Sequence, residues 1–122
     1  MTEDAEGNYK LGKAWQYHEG YTEAVLWYRL AAEQGHPGAQ FNLGVMFMIG
    51  LGVGCDFAEA ARLYQLAAEQ GHAEAAHALG IMYEKGLGVE RYISDAVQWY
   101  IKASKMGNAD AQKALHRLTR RS

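Results

Sequence analysis

Self-similarity at a fixed period constrains this chain more than any other feature. The string Leu-Ala-Ala-Glu-Gln-Gly-His occurs at 30–36 and again at 66–72, an offset of 36 residues. A weaker copy at 101–108 keeps Ala103 and Gly107 in register. Gly35, Gly71 and Gly107 are thereby equivalent, as are Leu43, Leu79 and Leu115, and Ala39, Ala75 and Ala111. The string Gly-Leu-Gly-Val recurs at 50–53 and 86–89 with the same offset. A period of this length means one supersecondary unit stacked on copies of itself, because a single unit cannot bury its apolar face alone.

Each unit reads as two helices. The first spans 37–49, with Pro37 in the first turn, where its missing N–H is harmless, and with Leu43 and Phe47 at i and i+4. The second spans 56–70, with Asp56 as N-cap and Ala60, Leu63, Tyr64 and Ala67 as its buried stripe. Gly71 follows, where a left-handed residue ends a helix. Matching helices fall at 73–85 and 94–106. There Tyr92 replaces the Asp56 equivalent, so Ser94 is expected to cap. The first unit lacks the Gly-Leu-Gly-Val loop and keeps its helices at 5–18 and 22–34. A last helix at 109–120 brings the expected number to seven.

Glycine within a helix costs about 1 kcal/mol relative to alanine. Gly12, Gly44 and Gly80 recur at one mid-helix position, which predicts close helix crossings, with Ala24, Ala60 and Ala96 as the expected contacts. Trp27, Leu63 and Trp99, and likewise Tyr28, Tyr64 and Tyr100, recur in register as core or inter-repeat wedges.

These motifs carry a family resemblance. Leu-Gly-x-Met-[Tyr/Phe], Gly-Leu-Gly-Val and Trp-Tyr-x-x-Ala-Ala-Glu-Gln-Gly-His resemble the Sel-one-like repeat (SLR) family, a longer-looped relative of the tetratricopeptide repeat. Residues 37–72 and 73–108 match as complete units. Residues 1–36 resemble a tetratricopeptide repeat through Leu11-Gly12, Trp15, Gly20-Tyr21, Ala24, Tyr28 and Ala31, and 109–122 form a C-terminal capping helix. The resemblance implies an all-α fold, a right-handed α/α superhelical solenoid of antiparallel helix pairs in one repeat domain. It also implies a scaffold that holds other proteins. Disulfide-stapled members of the family carry paired cysteines; this chain has only Cys55.

Composition removes several functions. The 122 residues carry a formal charge of -2, so no overall field draws in nucleic acid. No apolar run approaches a membrane-spanning length. The acidic start Met1-Thr2-Glu3-Asp4 is unlike a signal peptide, and with a single cysteine the expectation is a cytoplasmic protein. Gly50-Leu-Gly-Val-Gly54 lacks the preceding strand that a dinucleotide fingerprint needs. His72 and His77 are five apart, not the four of a zinc helix, and His72 falls in the inter-repeat turn with His36 as its equivalent. No cofactor or metal is expected. The basic end (Lys113, His116, Arg117, Arg120, Arg121) reads either as a surface for an acidic partner or nucleic acid or, in the favoured reading, as cations that suit a helix C-terminus and a polar cap. The acidic start (Glu3, Asp4, Glu6) suits its own helix dipole, and the two ends together allow weak head-to-tail self-association.

The candidate site lies on the first helix of each pair, which faces the concave groove of such a superhelix. The outward positions are Tyr9, Lys13, Gln16 and Tyr17 in the first unit, Phe41, Val45, Met48 and Ile49 in the second, and His77, Ile81, Glu84 and Lys85 in the third. Of these, Tyr9, Lys13, Tyr17, Phe41, Val45, Met48, Ile81, Glu84 and Lys85 are the expected protein-binding groove, although the same spacing admits Phe41 and Val45 as core. An exposed apolar stripe of this kind suits an amphipathic helix or extended peptide. The leading expectation is a non-enzymatic adaptor. An immunity-type or regulatory protein that blocks one bacterial enzyme or effector is the alternative. A small-molecule role through His77 and Glu84 ranks last, for want of a nucleophile–base pair.

Overall fold

A computed structural model describes residues 4–120. It contains seven helices: α1 (Ala5–Tyr17), α2 (Tyr21–Glu33), α3 (Pro37–Ile49), α4 (Phe57–Ala68), α5 (Ala73–Lys85), α6 (Ile93–Lys105) and α7 (Ala109–Thr119). Among the described residues there is no strand. Each helix packs on its chain neighbours, so α1–α2, α3–α4 and α5–α6 are pairs within a unit, and α2–α3, α4–α5 and α6–α7 join one unit to the next. The result is the all-α superhelical solenoid that the period implies.

The helix ends explain the repeated string. Gly35, Gly71 and Gly107 have φ of +91°, +93° and +97°, a conformation glycine adopts without penalty, and they release the chain from α2, α4 and α6. The next residue caps the following helix. His36 Nδ1 accepts from Ala39 N–H at 3.1 Å, His72 Nδ1 from Ala75 N–H at 3.1 Å, and Asn108 Oδ1 from Ala111 N–H at 2.8 Å. The histidines expected to serve as turn residues are thus N-caps, satisfying one of the donors that a helix start leaves open. Asp56 caps α4 through Glu59 N–H at 3.0 Å, as its spacing predicts. The expected Ser94 cap is not realised: α6 starts at Ile93 behind Tyr92, which makes no side-chain cap bond. The Tyr92 N–H still donates to the Tyr83 carbonyl at 3.0 Å, as the Asp56 N–H does to that of Phe47 at 2.9 Å, and this backbone bond keeps the boundary in register.

The core is alanine and tyrosine rich. Ala24, Ala60 and Ala96 are fully buried, and so are Tyr28 and Tyr100, with Tyr64 4% exposed. The mid-helix glycines, however, do not meet those alanines first. A Cβ on Gly12, Gly44 or Gly80 would lie 2.5, 2.7 or 2.6 Å from a ring carbon of Tyr28, Tyr64 or Tyr100. The glycine notch holds a flat ring laid across the first helix by the second. Trp27 and Trp99 are half-buried, whereas Leu63 is 2% exposed.

The Gly-Leu-Gly-Val loop does more than turn the chain. Its second glycine sits against the backbone at the start of the preceding unit's second helix: a Cβ on Gly52 would collide with the Tyr21 carbonyl, and one on Gly88 with that of Phe57. Both glycines have positive φ, +74° and +71°. The first unit lacks this loop and joins its helices by a short turn, Glu19 taking φ +64° ahead of Gly20. At that same end Leu11 and Trp15 are 37% and 41% exposed, where their equivalents Leu43 and Phe47 are buried under α2.

Candidate functional site

The first helices carry the candidate residues in three parallel rows, set by the repeat register. The first row is Tyr9, Phe41, His77 and Lys113; the second Lys13, Val45, Ile81 and Arg117; the third Gln16, Met48, Glu84 and Arg120.

In the first row the rings lean inward and stay half-buried. Tyr9 stacks on the capping His36 with centroids 4.3 Å apart, and Phe41 on His72 at 4.7 Å. Each also tilts against a core tyrosine, Tyr9 on Tyr28 at 6.0 Å, Phe41 on Tyr64 at 5.6 Å and His77 on Tyr100 at 5.9 Å. Gly38 fits this row, because a side chain there would press on the Tyr9 ring at 3.1 Å. Phe41, Val45, Met48 and Ile81 all pack on the core while keeping part of their surface open. They are therefore shared between core and surface, neither wholly one nor the other. Tyr17 is 83% and Ile49 65% exposed at the helix ends, and Lys13 and Lys85 are exposed. Lys13 Nζ sits 5.1 Å from the Tyr9 ring centre.

The third row meets the tyrosine hydroxyls. Tyr28 donates to Gln16 Oε1 at 2.5 Å and Tyr100 to Glu84 Oε1 at 2.7 Å. In the middle unit Met48 puts a thioether at that position, and burial pushes the Tyr64 hydroxyl up to about 12. Arg117 of α7 grips Glu84 with two parallel bonds, Nη1 to Oε2 at 2.7 Å and Nη2 to Oε1 at 3.0 Å. This fork is what chiefly holds the Glu84 carboxyl below the usual range, against its burial and with help from the Tyr100 hydroxyl. Tyr100 is raised by burial and by its carboxylate neighbour. From the sequence, Arg117 reads as one cation of the basic end, suited to the α7 dipole. Its true contact lies 33 residues away and becomes visible only once Arg117 is placed opposite Ile81 in the same row.

These side chains enclose a cleft of about 380 Å³ between α5 and α7, lined by His77, Ile81, Glu84, Lys85, Tyr100, Asp110, Lys113, Ala114 and Arg117. His77 and Glu84, proposed as a ligand pair, share it. It holds no activated nucleophile beside a base, and among the described residues no cluster of three or more His, Cys, Asp or Glu could hold a metal ion. No described helix is long and apolar enough to cross a membrane. Arg121 and Glu3 lie outside the described residues.

The chain matches the Sel1 repeat model over residues 5–36, 37–72 and 73–108. Its fold is similar to c5321, a protective antigen of uropathogenic Escherichia coli with an SLR fold: TM-score 0.90, 40% identity, covering 93% of this chain and 25% of that one. A Sel1 repeat protein from Oxalobacter formigenes gives TM-score 0.89 and 32% identity over 93% of this chain and 48% of the other. Cysteine-rich protein B of Helicobacter pylori gives TM-score 0.73 and 26% identity over 76% and 70%. The chain thus spans a quarter of the first relative and about half of the second. No curated protein matches. Sel1 repeats generally act as non-catalytic scaffolds for protein–protein interaction. With three consecutive repeats matched from residue 5 to residue 108, this chain belongs to the Sel1-repeat family.

Proposed function

We propose that this protein is an adaptor that binds a segment of a partner protein along the face formed by α1, α3, α5 and α7. The observation that carries this reading is the half-buried apolar patch of Phe41, Val45 and Met48 along α3 with Ile81 on α5, packed on the core and still open on one side. A patch fixed in this way is preorganised, so binding loses little side-chain entropy. Tyr17 and Ile49 extend it with exposed apolar surface at the helix ends. The face also lacks the converging groups of an acyl- or phosphoryl-transfer site.

The test uses the tagged chain as bait in an extract of its native organism. Met48→Glu and Ile81→Glu are compared with Gln65→Glu and Gln98→Glu, substitutions on the exposed surface of α4 and α6. Far-UV circular dichroism establishes that each variant is folded. A partner retained by wild type and by the α4 and α6 variants, and lost from the Met48 and Ile81 variants, is the expected result. A partner indifferent to Met48 and Ile81 removes this face from the reading.

A further inference from the structure

The face proposed above has an uneven charge distribution, and this selects the chemistry of what it binds. Helix α3, at its centre, contains no charged residue. The cleft between α5 and α7 brings together Lys85, Lys113 and Arg117 against the carboxylates Glu84 and Asp110. Glu84 is already committed, taking both bonds of Arg117 and the Tyr100 hydroxyl. Asp110 lies in the first turn of α7, where it complements the helix dipole. Lys85 and Lys113 are exposed, and neither is within ion-pair distance of a described carboxylate; Lys85 ends α5 and adds to the field on Glu84 without bonding to it. The chain as a whole carries -2, so this excess of cations is local and not part of a general positive field.

Resting on the groove reading, we infer that the occupant is an acidic linear peptide segment. Its apolar side chains lie on Phe41, Val45 and Met48, and an Asp or Glu reaches Lys85 and Lys113. Charge at the rim of an apolar interface chiefly selects the partner and orients it, and the apolar contact supplies the hold.

The experiment uses the full chain and three labelled peptides of about 12 residues. They share one apolar centre and differ only in flanking residues: Glu, Gln or Lys. Anisotropy titrations give the affinities, and 1H–15N chemical-shift mapping locates each peptide. The Glu peptide is expected to bind about fivefold more tightly than the Gln peptide and to shift amides of α3, α5 and α7, with the Lys peptide weakest. The double variant Lys85→Glu, Lys113→Glu, altered only at exposed positions, is expected to reverse the order of the Glu and Lys peptides. Gln or Lys peptides that bind as well as Glu, with shifts on the same helices, overturn the acidic assignment and leave the groove reading standing. Shifts confined to α2, α4 and α6, or no binding by any peptide, overturn both.

Discussion

Gly80 allows the packing account to be tested against helix propensity, because the two act in opposite directions. In an isolated helix Gly→Ala stabilises by about 1 kcal/mol. Here the new methyl would stand 2.6 and 2.7 Å from Cε1 and Cδ1 of Tyr100, a ring with no exposed surface. Those carbons are the middle of the ring, so the whole side chain must move, and its hydroxyl is held 2.7 Å from Glu84. Overpacking of a filled site costs about 1–3 kcal/mol, and a strained hydrogen bond to a carboxylate adds to it. The expected net effect of Gly80→Ala is a loss of about 1–2 kcal/mol, read from urea unfolding followed by far-UV circular dichroism. In a Tyr100→Leu background the ring carbons beside Gly80 are gone, and the same substitution should become neutral or stabilising as its propensity gain emerges. Such a change of sign is a coupling that a double-mutant cycle isolates. If Gly80→Ala stabilises the parent protein, or loses the same amount with and without the tyrosine ring, the notch-and-ring reasoning is wrong.

Three further outcomes follow from other contacts. His72→Ala removes the α5 cap and the ring stacked on Phe41 and should cost about 2 kcal/mol, whereas His72→Asn keeps the cap, as Asn108 does for α7, and should recover about 1 kcal/mol of that loss. The His72 pKa is lowered, first by burial, so its contribution is complete above pH 6.5 and declines as pH falls below that value; chemical denaturation at several pH values should show this slope reduced in His72→Asn. Gly88→Ala should cost about 2 kcal/mol or more in thermal melts, from positive φ and collision with the Phe57 backbone, while Gly54→Ala, which meets nothing within 4 Å, should stay within about 0.5 kcal/mol. The lowered Glu84 carboxyl contributes stability above the ordinary carboxylate range and loses it as pH falls through its depressed value; Glu84→Gln should therefore differ from wild type at neutral pH and converge with it in acid, as measured by melting temperature.

Most of the fold could be read from the sequence because a repeat reports equivalence directly. The bounds of α3 and α5 match the spacing, α1 and α7 end one residue early, and α2, α4 and α6 shift by one or two residues at both ends. Equivalence says which residues do the same job, but not which neighbour they touch. Gly12, Gly44 and Gly80 were correctly grouped, yet their partner is a tyrosine ring and not alanine, because the direction of a large side chain depends on the helix crossing. His36 and His72 were placed in the turn, but imidazole is an uncommon cap, and composition alone does not show Nδ1 accepting a backbone N–H. Gly52 and Gly88 looked like turn residues only. Their contact with the previous unit is long-range and leaves no periodic trace.

The site was less legible for the same reason. Phe41 and Val45 left core and surface equally open, and the structure makes them half-buried members of both. The spacing puts Glu84 outward, on the same face as His77, and assigns it no cation. Its pairing with Arg117 depends on α7 completing the row beyond the last full repeat.

We propose that the partner lies on the first helices of the pairs, and amide hydrogen exchange on the complex with the native partner measures this. Added protection is expected on α3, α5 and α7, strongest around Phe41–Met48 and Ile81–Lys85, with α2, α4 and α6 unchanged. Protection concentrated on α2, α4 and α6, with the Phe41–Met48 segment exchanging as in the free protein, would contradict it.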